Sequence, residues 1–253
     1  MSDRQTPGDL PRAILVLLAT IATIAYNTLA ALGLVNGVTP ATISERLPSV
    51  ITPAGYAFSI WSLIYLWMLA FSIYQLFPAN GTRLRRIRTN YIISCLLNVG
   101  WIWCWHHGRI ILCLGAIFGT AAVLFLICQE VKDASSVADK VLLKAPFGLY
   151  LGWITCASLV NLMVLVNLRV PIDSTLSVTL GVVCIVLAAL ASFLVRWKLN
   201  NYIYPLAVAW ALSAIAVKQS GNTAIVVAAA FGTVVSLVTS GSIVTSLKDA
   251  TSE

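Results

Sequence analysis

The chain has 253 residues, of which 59% are apolar and 10% charged, with a net charge of +7. Soluble domains carry about a quarter charged residues, so this composition excludes a disordered chain and a soluble globular enzyme and points to the bilayer as solvent. Read loop by loop, the basic surplus calls for no nucleic-acid partner.

Long apolar runs fall at 13–35, 56–77, 91–105, 110–128, 143–168, 175–195, 202–217 and 222–247. A spanning helix needs about 20 apolar residues at 1.5 Å rise each. The expected fold class is therefore all-α, a polytopic membrane helix bundle with eight spans. The first run follows Arg4 and Arg12 and is too long for the apolar core of a signal peptide, so it reads as a retained helix. The third and seventh runs are short. Pro205 lies near the start of the seventh, which reads as either a tilted span or a re-entrant segment. No acidic residue falls inside a run, and Lys and Arg mark the run ends, as the cost of charge in hydrocarbon requires.

With the N-terminus inside, the inner side collects Arg4, Arg12, Arg83, Arg85, Arg86, Arg88, Lys132, Lys140, Lys144, Arg196, Lys198 and Lys248, twelve of the 16 basic residues. The outer side keeps Arg46, Arg109, Arg169 and Lys218. This bias predicts both termini in the cytoplasm, and a cell membrane is the favoured host. The cluster at 83–88 reads as a topology determinant, or else as an anionic-lipid or nucleic-acid patch. Two loops are long: 37–55, with Pro40, Pro48 and Pro53, and the charged 129–142. The first reads as a lid or binding element, with Arg46 and Pro48 as gate candidates. Arg46 either pairs with a ligand carboxylate or is simply solvated.

Catalytic and metal chemistry find little material. His106 and His107 are the only histidines, and neighbours on a helix point about 100° apart, which cannot serve one ion. They read as interfacial anchors beside Arg109. Cys95, Cys104, Cys113, Cys128, Cys156 and Cys184 lie in apolar runs without ligand spacing and read as small hydrophobes rather than a disulfide framework. No phosphate-binding loop is present in the sequence, and no carboxylate lies within a span to couple transport to ions. No enzyme activity, cofactor or metal is expected.

Aromatic placement carries more. At about 100° per residue, Phe58, Trp61, Tyr65 and Met68 share one arc of the second span; Tyr91, Asn98, Trp101 and Trp105 share one in the third. Tyr150, Trp153, Ala157 and Asn161 share one in the fifth. Such stripes, turned inward, line a pocket for a large planar or lipophilic ligand; as plain packing or interfacial belts they need no ligand. Asn98 and Asn161 either bond across helices or orient a ligand.

At these residues the sequence resembles the tryptophan-rich sensory protein family, also called TspO/MBR or translocator protein. Pro53-Ala54-Gly55-Tyr56-Ala57-Phe58-Ser59-Ile60-Trp61-Ser62-Leu63-Ile64-Tyr65 resembles the start of the family's second helix, P-P-x-W-x-F-G-P-V-W-T-x-L-Y. Leu97-Asn98-Val99-Gly100-Trp101 matches the third-helix L-N-x-x-W. Tyr150, Trp153, Ala157 and Asn161 match the fifth-helix Y-x-x-W-x-x-x-A-x-x-x-N. Tyr56 stands in place of the first Trp, and the G-P-V-W step is one residue shorter and lacks its Pro. The resemblance covers 13–168 and implies a five-helix core there; the charge bias places a cytoplasmic segment at 1–12 and a cytoplasmic tail at 248–253, and the apolar runs add a three-helix membrane segment at 169–247 that five-helix members lack.

What the resemblance implies about function is a pocket closed by the first loop, for a lipophilic small molecule such as a tetrapyrrole or a sterol. The residues carried over are Trp61, Tyr65, Asn98, Trp101, Tyr150, Trp153, Ala157 and Asn161, with Phe58 from the spacing. Family members often form homodimers. The competing expectation is an uncoupled small-molecule transporter using Ser, Thr and Asn along the last three spans. Gly232 and Gly241 offer a surface to another helix if the role is structural.

Overall fold

The structure, a computed structural model, describes residues 9–77, 80 and 83–242. The segment before residue 9, with Arg4, and the tail with Lys248 lie outside the described residues. Within the described residues each apolar run contains a helix. In chain order these are α1 (Asp9–Ala31), the short α2 (Pro40–Arg46), α3 (Ile60–Tyr74) entered through a 3-10 turn at Gly55–Ser59, α4 (Arg85–His106) and α5 (Ile110–Glu130). The one-turn α6 (Val137–Asp139) and a π-helical turn at Lys140–Lys144 lead into α7 (Ala145–Asn167), followed by α8 (Thr175–Leu199), α9 (Tyr204–Lys218) and α10 (Thr223–Gly241). The starts follow local chemistry. Ser136, Ser174 and Asn222 each accept a hydrogen bond from the backbone N–H three residues on, satisfying donors that the helix leaves over.

Among the described residues, six helical stretches are long and apolar enough to cross a membrane: Leu10–Ala31, Gly55–Tyr74, Ile110–Glu130, Val137–Asn167, Thr175–Leu199 and Thr223–Gly241. The chain is an all-α, multi-pass integral membrane protein. The two remaining expected spans differ for separate reasons. Helix α4 starts at Arg85, six residues before the apolar run, and so carries Arg85, Arg86 and Arg88 in its first turns. Helix α9 has 15 residues, about 22 Å at 1.5 Å each, short of a bilayer core of about 30 Å. Tyr204, Ala207, Val208, Ala211, Leu212, Ala214 and Ile215 of α9 are all buried, so protein rather than lipid surrounds most of it.

The chain divides into two units. The first comprises 1–46 and 59–147; the second comprises 47–58 and 148–253. In the first, α4 packs on α1, α2 and α5, and α1 packs on α3. Phe71, Tyr91 and Phe147 meet edge to face, with ring centroids 5.0, 4.9 and 6.0 Å apart, a favoured aromatic geometry. Beside them Thr20 Oγ1 joins Ser72 Oγ and, at 2.8 Å, Tyr91 OH, linking α1, α3 and α4. Farther along, the buried Arg88 donates from Nε to Gln75 Oε1 and from Nη2 to Gln75 O, both at 2.7 Å. Gln75 Nε2 in turn donates to Ala13 O at 2.8 Å. At the same end Arg83 grips Asp139 through two nitrogens at 2.6 and 2.8 Å, and Tyr74 OH donates to Asp139 Oδ1 at 2.9 Å. The hydrogen bonds that Arg83 donates to Asp139 raise the pKa of Arg83 further.

In the second unit α8, α9 and α10 pack on one another, and α7 meets the start of α9. Two glycines make that crossing. A Cβ on Gly148 would fall 2.0 Å from Asn201 Oδ1, and one on Gly152 would fall 2.6 Å from Tyr204 O and 2.8 Å from the Ala207 Cβ. Asn201 Oδ1 itself accepts from the N–H groups of Ile203 and Tyr204 at 3.1 Å, so the side chain that Gly148 admits is the one that caps α9. Gly232 lies against Leu212 of the same chain, whereas Gly241 has nothing within 4 Å of its Cβ position.

Candidate functional site

The predicted aromatic stripes separate by unit. In the first unit, Trp61 and Tyr65 are one helical turn apart on α3, and their rings stack at 5.2 Å with 17° between planes. Trp101 and Trp105 repeat this on α4 at 5.9 Å and 16°. Trp61 lies 6.5 Å from Trp101 at 32°, which joins the two pairs into a ladder of four rings. Helical spacing of four residues produces each pair, because residues i and i+4 lie one above the other. Trp101 and Trp105 are buried, while Trp61 and Tyr65 are half-buried. Trp105 Nε1 donates to Pro40 O at 3.3 Å, which fixes the far end of the ladder against α2.

Asn98 sits one turn from Trp101 and is buried. Its Oδ1 accepts from Asn27 Nδ2 at 2.8 Å, and Asn27 Nδ2 also donates to Thr23 O at 2.9 Å. The polar group at this position thus ties α4 to α1. His106 is buried. Its Nδ1 lies 2.9 Å from Ile102 O and its Nε2 3.2 Å from Val38 O, and Asn36 Nδ2 donates to His106 O at 3.0 Å. Together these bonds hold the turn after α1 onto the end of α4. His107 is exposed and stacks on Trp103 at 4.4 Å.

In the second unit, Phe58 and Trp153 meet edge to face at 6.0 Å and 79°. Tyr150, Trp153 and Asn161 are buried and Ala157 half-buried. Asn161 Nδ2 donates to Ala157 O of its own helix at 2.9 Å. A void of about 10 Å³ lined by Cys156, Cys184 and Leu212 has room for about one water, not for a ligand of the expected size. Among the described residues all six cysteines are buried and free.

The expected lid at 37–55 does not form one element. Residues Pro40–Arg46 are helical, and Arg46, exposed at the end of α2, closes the first unit's segment. From Leu47 the chain counts with the second unit, where Pro48 is exposed and Val50 and Ile51 are buried. That segment is fastened to α9: Ala54 N donates to Ala214 O at 3.0 Å, Trp210 Nε1 to Ala57 O at 3.0 Å, and Gln219 Nε2 to Thr52 O at 2.9 Å. Tyr56 packs its edge on Trp210 at 5.5 Å. Spacing does not single out Trp210 or Gln219. Their one signal is a polar N–H inside, and an amide at the end of, an otherwise apolar run.

The sequence model of the family described as TSPO-like protein matches residues 13–242. The match continues through α10, so the helices after Thr175 fall within the family's own pattern, a longer form than the five-helix members. Comparison with curated proteins gives no match, and neither does comparison with solved structures. With the three motif blocks on α3, α4 and α7 and a family match over nearly the whole described chain, this protein belongs to the TSPO-like protein family.

Proposed function

We propose that this protein is a non-enzymatic binding protein, carrier or sensor for a hydrophobic planar ligand of the porphyrin or sterol type. The supporting observation is the four-ring ladder of Trp61, Tyr65, Trp101 and Trp105, whose stacked pairs are tilted by only 16° and 17°. Nearly parallel rings offer a flat apolar face, and each added aromatic contact contributes about 0.5–1.5 kcal/mol beyond its area. Half-buried Trp61 and Tyr65 are the rings that a ligand meets. Phe58 and Trp153 form a second, smaller aromatic surface in the other unit. The bias of basic residues toward one side favours both termini in the cytoplasm, and family membership favours a homodimer.

Polar groups on which a transport path would draw are engaged within the second unit. Ser192 Oγ and Ser236 Oγ lie 3.1 Å apart, Asn167 Nδ2 donates to Ser177 Oγ at 2.7 Å, and Ser240 Oγ donates to Tyr202 O at 2.6 Å. The binding function is tested by titrating the purified protein with protoporphyrin and with cholesterol while following tryptophan fluorescence. Saturable quenching at micromolar or tighter concentration is expected for at least one of them. Absence of saturable binding to both removes the ligand-binding function and leaves the ladder as packing.

A further inference from the structure

One end of the first unit concentrates positive charge and apolar side chains on the same surface. The contacts between Arg86 and Glu130 at 3.4 Å, Arg83 and Asp139 at 2.6 Å, and Lys144 Nζ and Lys132 O at 2.7 Å bring the start of α4, the end of α5 and the 131–144 segment together. Arg83, Arg85, Arg86, Arg88, Lys132, Lys140 and Lys144 gather there against Glu130, Asp133 and Asp139, a surplus of four positive charges. Arg88 and Lys144 are buried and hold the framework. Arg83, Arg85, Arg86 and Lys132 are exposed, the Arg86 side chain by 83% even with Glu130 beside it.

Apolar residues on this surface point the same way. Val137 is 77% exposed and Val141, one turn on, 45%; residues i and i+4 share a face. Phe77 is 59% exposed, and its ring lies 6.4 Å from that of Tyr74, whose hydroxyl bonds Asp139. A loop surface facing water gains nothing from three exposed apolar side chains among arginines and lysines. A surface lying in the headgroup layer gains from both, because the side chains enter the acyl boundary and the cations meet phosphate.

We propose that this surface binds the phosphate headgroups of anionic phospholipids, with Arg85, Arg86 and Lys132 as the contacting cations and Phe77, Val137 and Val141 as its apolar contacts with the acyl boundary. The proposal is independent of the aromatic ladder. It commits to lipid rather than free phosphate, because the apolar side chains are complementary to a lipid and not to an inorganic ion.

The test places the full-length protein in bilayer discs of phosphatidylcholine doped with phosphatidylglycerol and measures, by native mass spectrometry after gentle detergent exchange, which lipid stays bound. Preferential retention of phosphatidylglycerol is expected. Each charge removed costs about fivefold in that preference, so R85Q/R86Q/K132Q loses most of it, while R109Q at the other end of the unit leaves it unchanged. Raising salt from about 0.05 to about 0.5 M is expected to erase the wild-type preference, a result that does not depend on how the variant folds. Equal retention of the two lipids, a preference that persists in high salt, or an unaffected triple variant overturns the proposal. Displacement by millimolar inorganic phosphate also overturns it, reassigning the surface to the free anion.

Discussion

The crossing of α7 and α9 makes a sharp prediction, because a single added methyl group has a defined obstacle. Gly148→Ala places a Cβ 2.0 Å from Asn201 Oδ1 and 2.4 Å from its Cγ, far inside contact distance. The carboxamide must leave. With it goes the cap on Ile203 N and Tyr204 N, at a cost of about 1 kcal/mol, and forcing extra volume into a packed crossing adds about 1–3 kcal/mol. The expected destabilisation is about 2–4 kcal/mol. Asn201→Ala alone is expected to cost about 1–2 kcal/mol. Because it also removes the obstacle, adding Gly148→Ala to it is expected to cost little more, so the pair is strongly non-additive. Gly115, with nothing within 4 Å of its Cβ position, is the control: Gly115→Ala is expected to stabilise its helix by about 0.5–1 kcal/mol. Reversible unfolding in mixed micelles of mild detergent and dodecyl sulfate measures all four. A Gly148→Ala protein within about 0.5 kcal/mol of the parent, a margin typical of unconstrained surface sites, or additive costs in the double variant refute the packing argument.

Two further outcomes are expected in the same assay. Asn27→Leu and Asn98→Leu each remove the hydrogen bond that ties α1 to α4 and cost about 0.6–1.7 kcal/mol, whereas the double change, losing that bond only once, costs less than the sum of the singles; a double variant as costly as that sum contradicts the pairing. Arg88→Met breaks a buried network with Gln75 and is expected to cost about 3–5 kcal/mol, while Arg86→Gln, in an exposed pair with Glu130, is expected to cost under about 1 kcal/mol; equal effects contradict the difference in burial.

Much of the architecture is legible because lipid imposes it. Apolar runs of helix-spanning length and charges excluded from them locate α1, α3, α5, α7, α8 and α10. The stacked pairs Trp61–Tyr65 and Trp101–Trp105 follow from the i, i+4 geometry of a helix. Features that depend on a distant partner are not legible. Arg88 reads as loop charge in a hydropathy window, yet it is helical and buried because Gln75 supplies two acceptors for it. Helix α9 reads as a marginal span, but its short length is explained by protein burial on most sides. Gly148 and Gly152 carry the small-xxx-small spacing of close helix crossings, a signal present in the sequence beside the more conspicuous Tyr150 and Trp153. The attachment of 47–58 to α9 depends on Trp210 and Gln219, more than 150 residues away, and no local pattern announces it.

The most direct test of a stacking site on the ladder is an equilibrium titration of W61L/W101L with protoporphyrin, beside W197L as a control. Trp197 is 70% exposed at the end of α8 and stands outside the ladder. Removing two ladder rings is expected to weaken binding about tenfold or more, with W197L unchanged. Equal affinity in the parent protein and both variants, or the same loss in W197L, contradicts a binding role for the ladder.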